Sequence, residues 1–208
     1  MLTITSGDGA RVVVHRDGAQ VTSWLPAGSD DDRLFVSASS GFGPGVSIRG
    51  GIPVIFPQFG AEGTLPRHGF ARTMPWTVVN AREGADAAYH ATVTGLQGCD
   101  YRDALRDRQV AHELPPSLAI PGEIDRVYFD VTGALEVRDD ARVLRIEKRG
   151  FPDAVVWNPG ASGTRGRADF EPGDEHHMLC VEAAAVQRPI VLASGARWEG
   201  TQIMTAVR

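Results

Sequence analysis

The chain has 208 residues, 42% of them hydrophobic and 23% charged, which is enough apolar material for one sizeable core and too little length for two comfortable domains. A net charge of −5 without any basic run argues against a phosphate-backbone partner, so no nucleic acid is expected. The first eight residues lack a charged n-region and an apolar h-region, and no stretch approaches the ~18 apolar residues of a membrane span, so a cytoplasmic protein with no membrane partner is expected.

In chain order, short runs rich in Val, Ile, Thr and aromatics read as strands: Arg11 to His15, Gln20 to Leu25, Gly51 to Phe56, Trp76 to Val79, Tyr89 to Thr94, Ile124 to Val131, Arg142 to Lys148, Ala154 to Trp157, Met178 to Glu182 and Pro189 to Leu192. The 24 glycines and 13 prolines punctuate them at the spacing of a sandwich or barrel, which predicts an all-β architecture. Tyr89, Ala91 and Val93 alternate with polar neighbours, as do Leu144 and Ile146 with Arg145 and Glu147, the pattern of strands with one buried face. Asp103 to Glu113 is the best helical candidate; few of its residues are apolar and Pro115-Pro116 stops it, so it amounts to a surface turn or two.

Cys99 and Cys180 are the only cysteines and have no C-x-x-C spacing, which suggests two reduced structural thiols rather than a disulfide framework or a thiolate metal site. His176-His177 is a poor metal pair, because adjacent residues of an extended chain face opposite sides. Lys148 is the only lysine beside 20 arginines, so an arginine carries weight only inside a constrained motif.

The most constrained motif is Ile48-Arg49-Gly50-Gly51-Ile52-Pro53-Val54-Ile55-Phe56-Pro57-Gln58-Phe59-Gly60, followed by Leu65-Pro66-Arg67-His68-Gly69-Phe70-Ala71-Arg72. Paired glycines beside Arg49 allow a backbone to approach a ligand closely, and two prolines fix the ends of an apolar run. Arg67, His68 and Arg72 gather two permanent cations and a group titrating near neutrality, which suits an anionic small molecule. The bland alternative is a bulge at the glycines and a loop histidine satisfied by backbone. Glu182, inside an apolar strand, is either an edge residue or an acid with a raised pKa, as catalytic bases often are. Asp125, at a strand start, either accepts hydrogen bonds from ligand hydroxyls or caps a turn or pairs with Arg126.

These landmarks, with Pro75-Trp76, Gly95-Leu96-Gln97-Gly98, Glu123-Ile124-Asp125-Arg126-Val127-Tyr128, Val155-Val156-Trp157-Asn158-Pro159 and Cys180-Val181-Glu182 in the same order, closely resemble the D-hexose-6-phosphate mutarotases, or glucose-6-phosphate 1-epimerases, of the aldose 1-epimerase superfamily. The resemblance implies a galactose-mutarotase-like β-sandwich, an isomerase interconverting the α and β anomers of a hexose 6-phosphate without metal or organic cofactor, and a monomer. It places Arg49, Arg67 and Arg72 as substrate-binding residues, Asp125 as the carboxylate that holds sugar hydroxyls, His68 in the His-Gly-Phe-Ala-Arg motif, and Glu182 as the general base. The family's acid histidine lies in a His-Thr-Tyr segment, and no His-Thr pair occurs in this chain. About 18 residues separate Trp76 from Gly95 where the family has several strands. The expectation is therefore one mutarotase-like domain, 1–208, lacking some central strands through a deletion between about 80 and 92. His90 lies near the junction and is not assigned the acid role; His68 is the substitute candidate. The alternatives are a noncatalytic sugar-phosphate-binding module and an inactive truncated homologue.

Overall fold

The frequent Gly and Pro breaks cut the chain into short strands, and the computed structural model, which describes residues 1–77, 92–138 and 143–207, shows thirteen of them among those residues, all paired antiparallel. They divide between two compact units, Met1–Ala87 with Gly166–Glu171, and Ala88–Arg165 with Pro172–Arg208.

The first unit carries one sheet, ordered β1 (Leu2–Thr5), β2 (Arg11–Val14) and β3 (Val21–Leu25). The Ser6–Ala10 turn closes the β1–β2 hairpin, with Ser6 N–H on the Ala10 carbonyl at 2.9 Å and the Asp8 carboxylate accepting Ala10 N–H at 3.1 Å. Thr22 and Trp24 turn inward from β3 between half-buried neighbours. From β3 to Thr77, the last described residue before 92, the chain forms no further strand and is held by isolated bridges at Val36–Gly50, Val21–Ile52, Phe56–Gly69 and Asp17–Pro75.

The expected strand Gly51 to Phe56 does not form. Gly50 and Gly51 have φ of 110° and 62°, which ends extended geometry, and Pro53 has no N–H to offer a neighbour. A Cβ on Gly50 would lie 2.2 Å from the Phe35 carbonyl oxygen, and one on Gly51 2.2 Å from that of Val21. The paired glycines therefore admit the protein's own backbone rather than a ligand. Trp76 and Thr77 are also outside any strand, with Trp76 N–H bonded to the Arg16 carbonyl at 2.8 Å, and the rest of that expected strand lies outside the described residues.

The second unit holds two five-stranded sheets. One is ordered β13 (Thr201–Val207), β10 (Val143–Arg149), β9 (Leu135–Arg138), β4 (Thr92–Thr94), β7 (Ser117–Ala119). The other is ordered β12 (Cys180–Ala184), β11 (Asp153–Asn158), β8 (Ile124–Tyr128), β5 (Asp100–Asp103), β6 (Gln109–His112). Leu135, Val137, Leu144 and Ile146 from the first sheet and Val127, Tyr128 and Ala154 to Val156 from the second are buried in the core. Leu144 and Ile146 face inward as the alternation of β10 predicts, whereas the Tyr89–Val93 alternation and the deletion expected near 80 to 92 fall almost wholly outside the described residues.

Two further expectations are corrected. Asp103 to Glu113 is the β5–β6 hairpin: Asp107 and Arg108 adopt left-handed φ of 51° and 59°, and the Asp103 carboxylate accepts Leu105 N–H at 3.0 Å, which together reverse the chain before a helix can form. Pro189 to Leu192 is not a strand and leaves Val191 exposed; the last strand is β13, paired with β10 through seven residues. The one α-helix among the described residues is the single turn α1 (Gly160–Thr164), and no helix there is long and apolar enough to cross a membrane.

A half-buried ammonium and a buried carboxylate fix the connections of this unit. The Lys148 ammonium, its pKa lowered by burial, donates to the carbonyls of Val131, Phe151 at 2.9 Å and Pro152 at 3.3 Å. The Asp153 carboxylate, in a residue only 1% exposed, accepts the N–H groups of Val186 at 2.7 Å, Gln187 at 2.8 Å and Asp130 at 3.3 Å. Asp153→Ala leaves buried donors without acceptors and is expected to cost about 3 kcal/mol. Calorimetry should show a melting temperature lower by roughly 6–12 °C, and a smaller drop for Asp153→Asn, which retains an acceptor; an unchanged melting temperature in Asp153→Ala would refute this role.

Candidate active site

All six residues singled out from the sequence carry charge or titrate within reach of another of the six in their own unit, and the local folding shows why. In the first unit, the loop from Gly60 to Gly69 is closed on itself. His68 N–H donates to the Gly60 carbonyl at 2.8 Å, and Gly60 N–H donates back to His68 Nδ1 at 3.2 Å. The Gln58 side chain spans the loop, giving its Nε2 hydrogens to the carbonyls of Gly60 and Leu65 and accepting Leu65 N–H at 3.0 Å. His68 is thereby held in the left-handed region, at φ 68°, with its ring edge-on to Phe59 at 5.6 Å between centroids.

The accepting role of Nδ1 assigns the proton of His68 to Nε2. Burial, and then the charges of Arg72, Arg67 and Arg49, push its pKa down to about 4. His68 is therefore a neutral imidazole with an Nε2–H donor at physiological pH, the imidazolium being disfavoured by burial first and by the neighbouring guanidinium groups next. Arg72 is half-buried, its pKa lowered by burial and by Arg49 and Arg67, and its Nη2 donates to the Arg67 carbonyl at 3.4 Å. Arg67 is exposed. Arg49 and Arg67 disfavour the charge of Arg72, a strain that an anion bound there would relieve.

Arg49 is braced on every side. Its N–H donates to Ser40 Oγ at 2.7 Å, its carbonyl accepts Ser37 N–H at 3.0 Å, and the buried Gln20 amide donates to the flanking carbonyls of Ile48, at 3.2 Å, and Gly50. Its guanidinium gives Nε–H at 2.9 Å and Nη2–H at 2.6 Å to Asp169 Oδ2, and its Cζ lies 4.7 Å over the centroid of the buried Phe170 ring. Neither Asp169 nor Phe170 was visible as a partner in the sequence, because 120 residues separate Arg49 from Asp169 and no local pattern links them.

In the second unit, strand register places Asp125 and Glu182 together. Asp125 on β8 pairs with Trp157 on β11, Glu182 on β12 pairs with Val155, and Trp157 and Val155 are two residues apart on the same strand. Directly paired residues of an antiparallel ladder share a face, so Asp125, Trp157 and Glu182 project from one side of the sheet. Arg126 points to the other side, where it binds Asp103 at 3.3 Å and Glu113 at 3.0 Å and its Cζ lies 4.3 Å from the Tyr101 centroid. Glu182 is half-buried on the outermost described strand of its sheet. Burial, and then the Asp125 charge, raise its carboxyl to about 7. A carboxyl poised near neutrality beside a second carboxylate suits a general base. Trp157, a partly exposed indole on the strand between them, is a candidate that sequence reading treated only as a landmark.

His176 and His177 are exposed at a 3-10 turn, as expected of turn residues, and both cysteines are free thiols. Among the described residues no cluster of His, Cys, Asp and Glu could hold a metal ion. His90 lies outside the described residues.

Known proteins similar to this chain point to one family. A protein of Cenchrus ciliaris, provisionally named as a glucose-6-phosphate 1-epimerase, is 29% identical over 262 aligned residues covering 91% of this chain and 79% of its own length. An Escherichia coli K12 protein with the same provisional name is 27% identical over 228 residues, covering 80% of this chain and 77% of its own. The crystal structure of YeaD from Salmonella typhimurium, described provisionally as a mutarotase, superposes with a TM-score of 0.83 over 96% of this chain and 88% of its own at 21% identity, so the fold is galactose-mutarotase-like. The aldose 1-epimerase family model matches residues 1–98 and 88–205. With that match running through both units, the chain belongs to the aldose 1-epimerase family.

Proposed function

We propose that this chain interconverts the α and β anomers of a hexose 6-phosphate. The observation that carries the reading is the gathering of Arg49, Arg67 and Arg72 around a neutral His68, a cationic site that an uncharged sugar would not require. The names of the Cenchrus and E. coli relatives support the same substrate.

Ring opening needs a base at the C1 hydroxyl and a proton at the ring oxygen. Glu182 takes the C1 hydroxyl proton, the C1–O5 bond breaks as the carbonyl forms, and O5 is protonated; rotation about C1–C2 and the reverse steps return the other anomer. Asp125 holds sugar hydroxyls, and the Trp157 indole offers an apolar surface to the pyranose ring. Arg49 and Arg72 bind the phosphate through forked hydrogen bonds, with Arg67 as a further contact. His68 offers its Nε2–H to O5 as a hydrogen-bond donor, while water delivers the proton that O5 gains and is restored by the proton that Glu182 took from the C1 hydroxyl.

The chain also reads as a shortened member of its family. Its alignment with the Cenchrus protein runs to 262 positions, more than the 208 residues of the chain itself, which supports a loss from the interior. The missing His-Thr pair favours a second reading, a sugar-phosphate-binding module without turnover. Polarimetry of freshly dissolved α-glucose 6-phosphate separates the two: the catalytic reading expects relaxation to accelerate in proportion to protein concentration, and binding with unchanged relaxation would establish the module.

A further inference from the structure

The family reading does not explain why an arginine offered to a phosphate already has a carboxylate on it. Asp169 Oδ2 accepts from Nε–H and Nη2–H of Arg49 at 2.9 Å and 2.6 Å, which is the side edge of the guanidinium. A guanidinium has five N–H groups. The two hydrogens of Nη1 and the outer hydrogen of Nη2 remain, and they form the end-on fork that fits two oxygens of a phosphate. Asp169 thus occupies the edge a phosphate does not need.

The Phe170 ring closes the second degree of freedom. It is 6% exposed and lies under the guanidinium, 4.7 Å from Cζ, so the plane of the fork is set by stacking while its direction is set by the carboxylate. The segment carrying both residues belongs to the first unit although its chain neighbours on either side belong to the second, and Ser39 Oγ donates to Glu171 at its end. The backbone of Arg49 is pinned as well, by Ser40 and Ser37. A long, flexible side chain is in this way ordered before any ligand arrives.

We infer that Asp169 and Phe170 are positioning residues that aim the end-on fork of Arg49, and that they set the preference for a phosphorylated over an unphosphorylated hexose. This rests on the reading of the arginine cluster as the phosphate site. Asp169 also cancels one charge of the cluster, so discrimination by Arg49 comes from hydrogen-bond geometry more than from net attraction.

The test compares wild type, Asp169→Ala, Asp169→Asn and Phe170→Leu in two measurements. Inorganic phosphate binding is followed by calorimetry, and anomer exchange is followed with glucose 6-phosphate and with glucose. Asp169→Ala is expected to weaken phosphate binding about tenfold and to raise KM for glucose 6-phosphate by a similar factor. Its kcat should stay within about threefold and its kinetics with glucose should not change. Asp169→Asn, which keeps an acceptor at the same edge, is expected to recover most of the loss, and Phe170→Leu to behave as a milder Asp169→Ala. Equal or tighter phosphate binding in Asp169→Ala would overturn the inference, since it would make Asp169 a competitor for Arg49; so would an equal loss with glucose, which would mark a merely structural role. Failure of the underlying reading looks different: wild type itself would then neither bind phosphate nor accelerate exchange.

Discussion

Glu182→Gln is expected to lower the rate of anomer exchange by ~10²–10⁴, the usual contribution of a positioned base, while leaving sugar-phosphate binding largely intact. The substitution keeps the shape of the side chain and removes only its ability to accept the C1 hydroxyl proton. Burial and the Asp125 charge hold the Glu182 carboxyl at about 7, so the base is half protonated at neutral pH and kcat/KM should climb with pH through that value. His68, held at about 4 and already neutral, should contribute no falling limb between pH 5 and 9. A descending limb that disappears in His68→Gln would show an imidazolium acid and contradict the tautomer assigned by the Gly60 N–H bond.

The same two groups act on stability in opposite directions. Glu182 keeps its proton in the folded chain above the ordinary value of 4.5, so its contribution to stability declines as pH rises from 4.5 to about 7. His68 resists protonation when folded, so its contribution is lost as pH falls from 6.5 towards about 4.

Arg72→Ala is the second large effect. A half-buried guanidinium that binds phosphate through charge-assisted hydrogen bonds contributes about 2–4 kcal/mol, so KM for glucose 6-phosphate should rise by roughly 30- to 1000-fold. Glucose kinetics should be nearly unaffected. The variant carries an internal check, because Arg72 is the largest of the charges that depress His68. NMR titration of the imidazole should show its pKa moving up from about 4 towards 6.5 in Arg72→Ala. An unchanged His68 titration would mean that the two side chains do not share a site.

Much of the fold was legible because its strands are short, apolar and bounded by glycine and proline. Val143–Arg149 could be read almost to the residue, since Leu144 and Ile146 alternate cleanly with charged neighbours. Gln109–His112 could not, because all four residues are exposed on the outer strand of their sheet and carry no alternation. Thr201–Val207 was missed for a related reason: its residues are mostly half-buried on both faces, so the period of two is blurred. Pro189 to Leu192 resembles a strand in composition, yet it pairs in no sheet among the described residues.

The site divided in the same way. Arg67, His68 and Arg72 lie within six residues, so sequence alone showed the charge that presses on the imidazole. Sequence could not show that Gly60 N–H occupies Nδ1 and turns His68 into a neutral donor. Asp125 and Glu182 were individually conspicuous, but their common face depends on the register of β8, β11 and β12, which no local pattern encodes. Asp169 is the extreme case, a single acid whose meaning comes only from the arginine it touches.

The central claim is that a chain without the family's acid histidine still turns over a hexose 6-phosphate. Magnetisation exchange between the α and β H1 resonances of glucose 6-phosphate at pH 8 tests it most directly. Exchange is expected to grow linearly with wild-type protein and to return to the buffer rate in Glu182→Gln. Exchange equal to buffer with folded, phosphate-binding wild-type protein would contradict the claim.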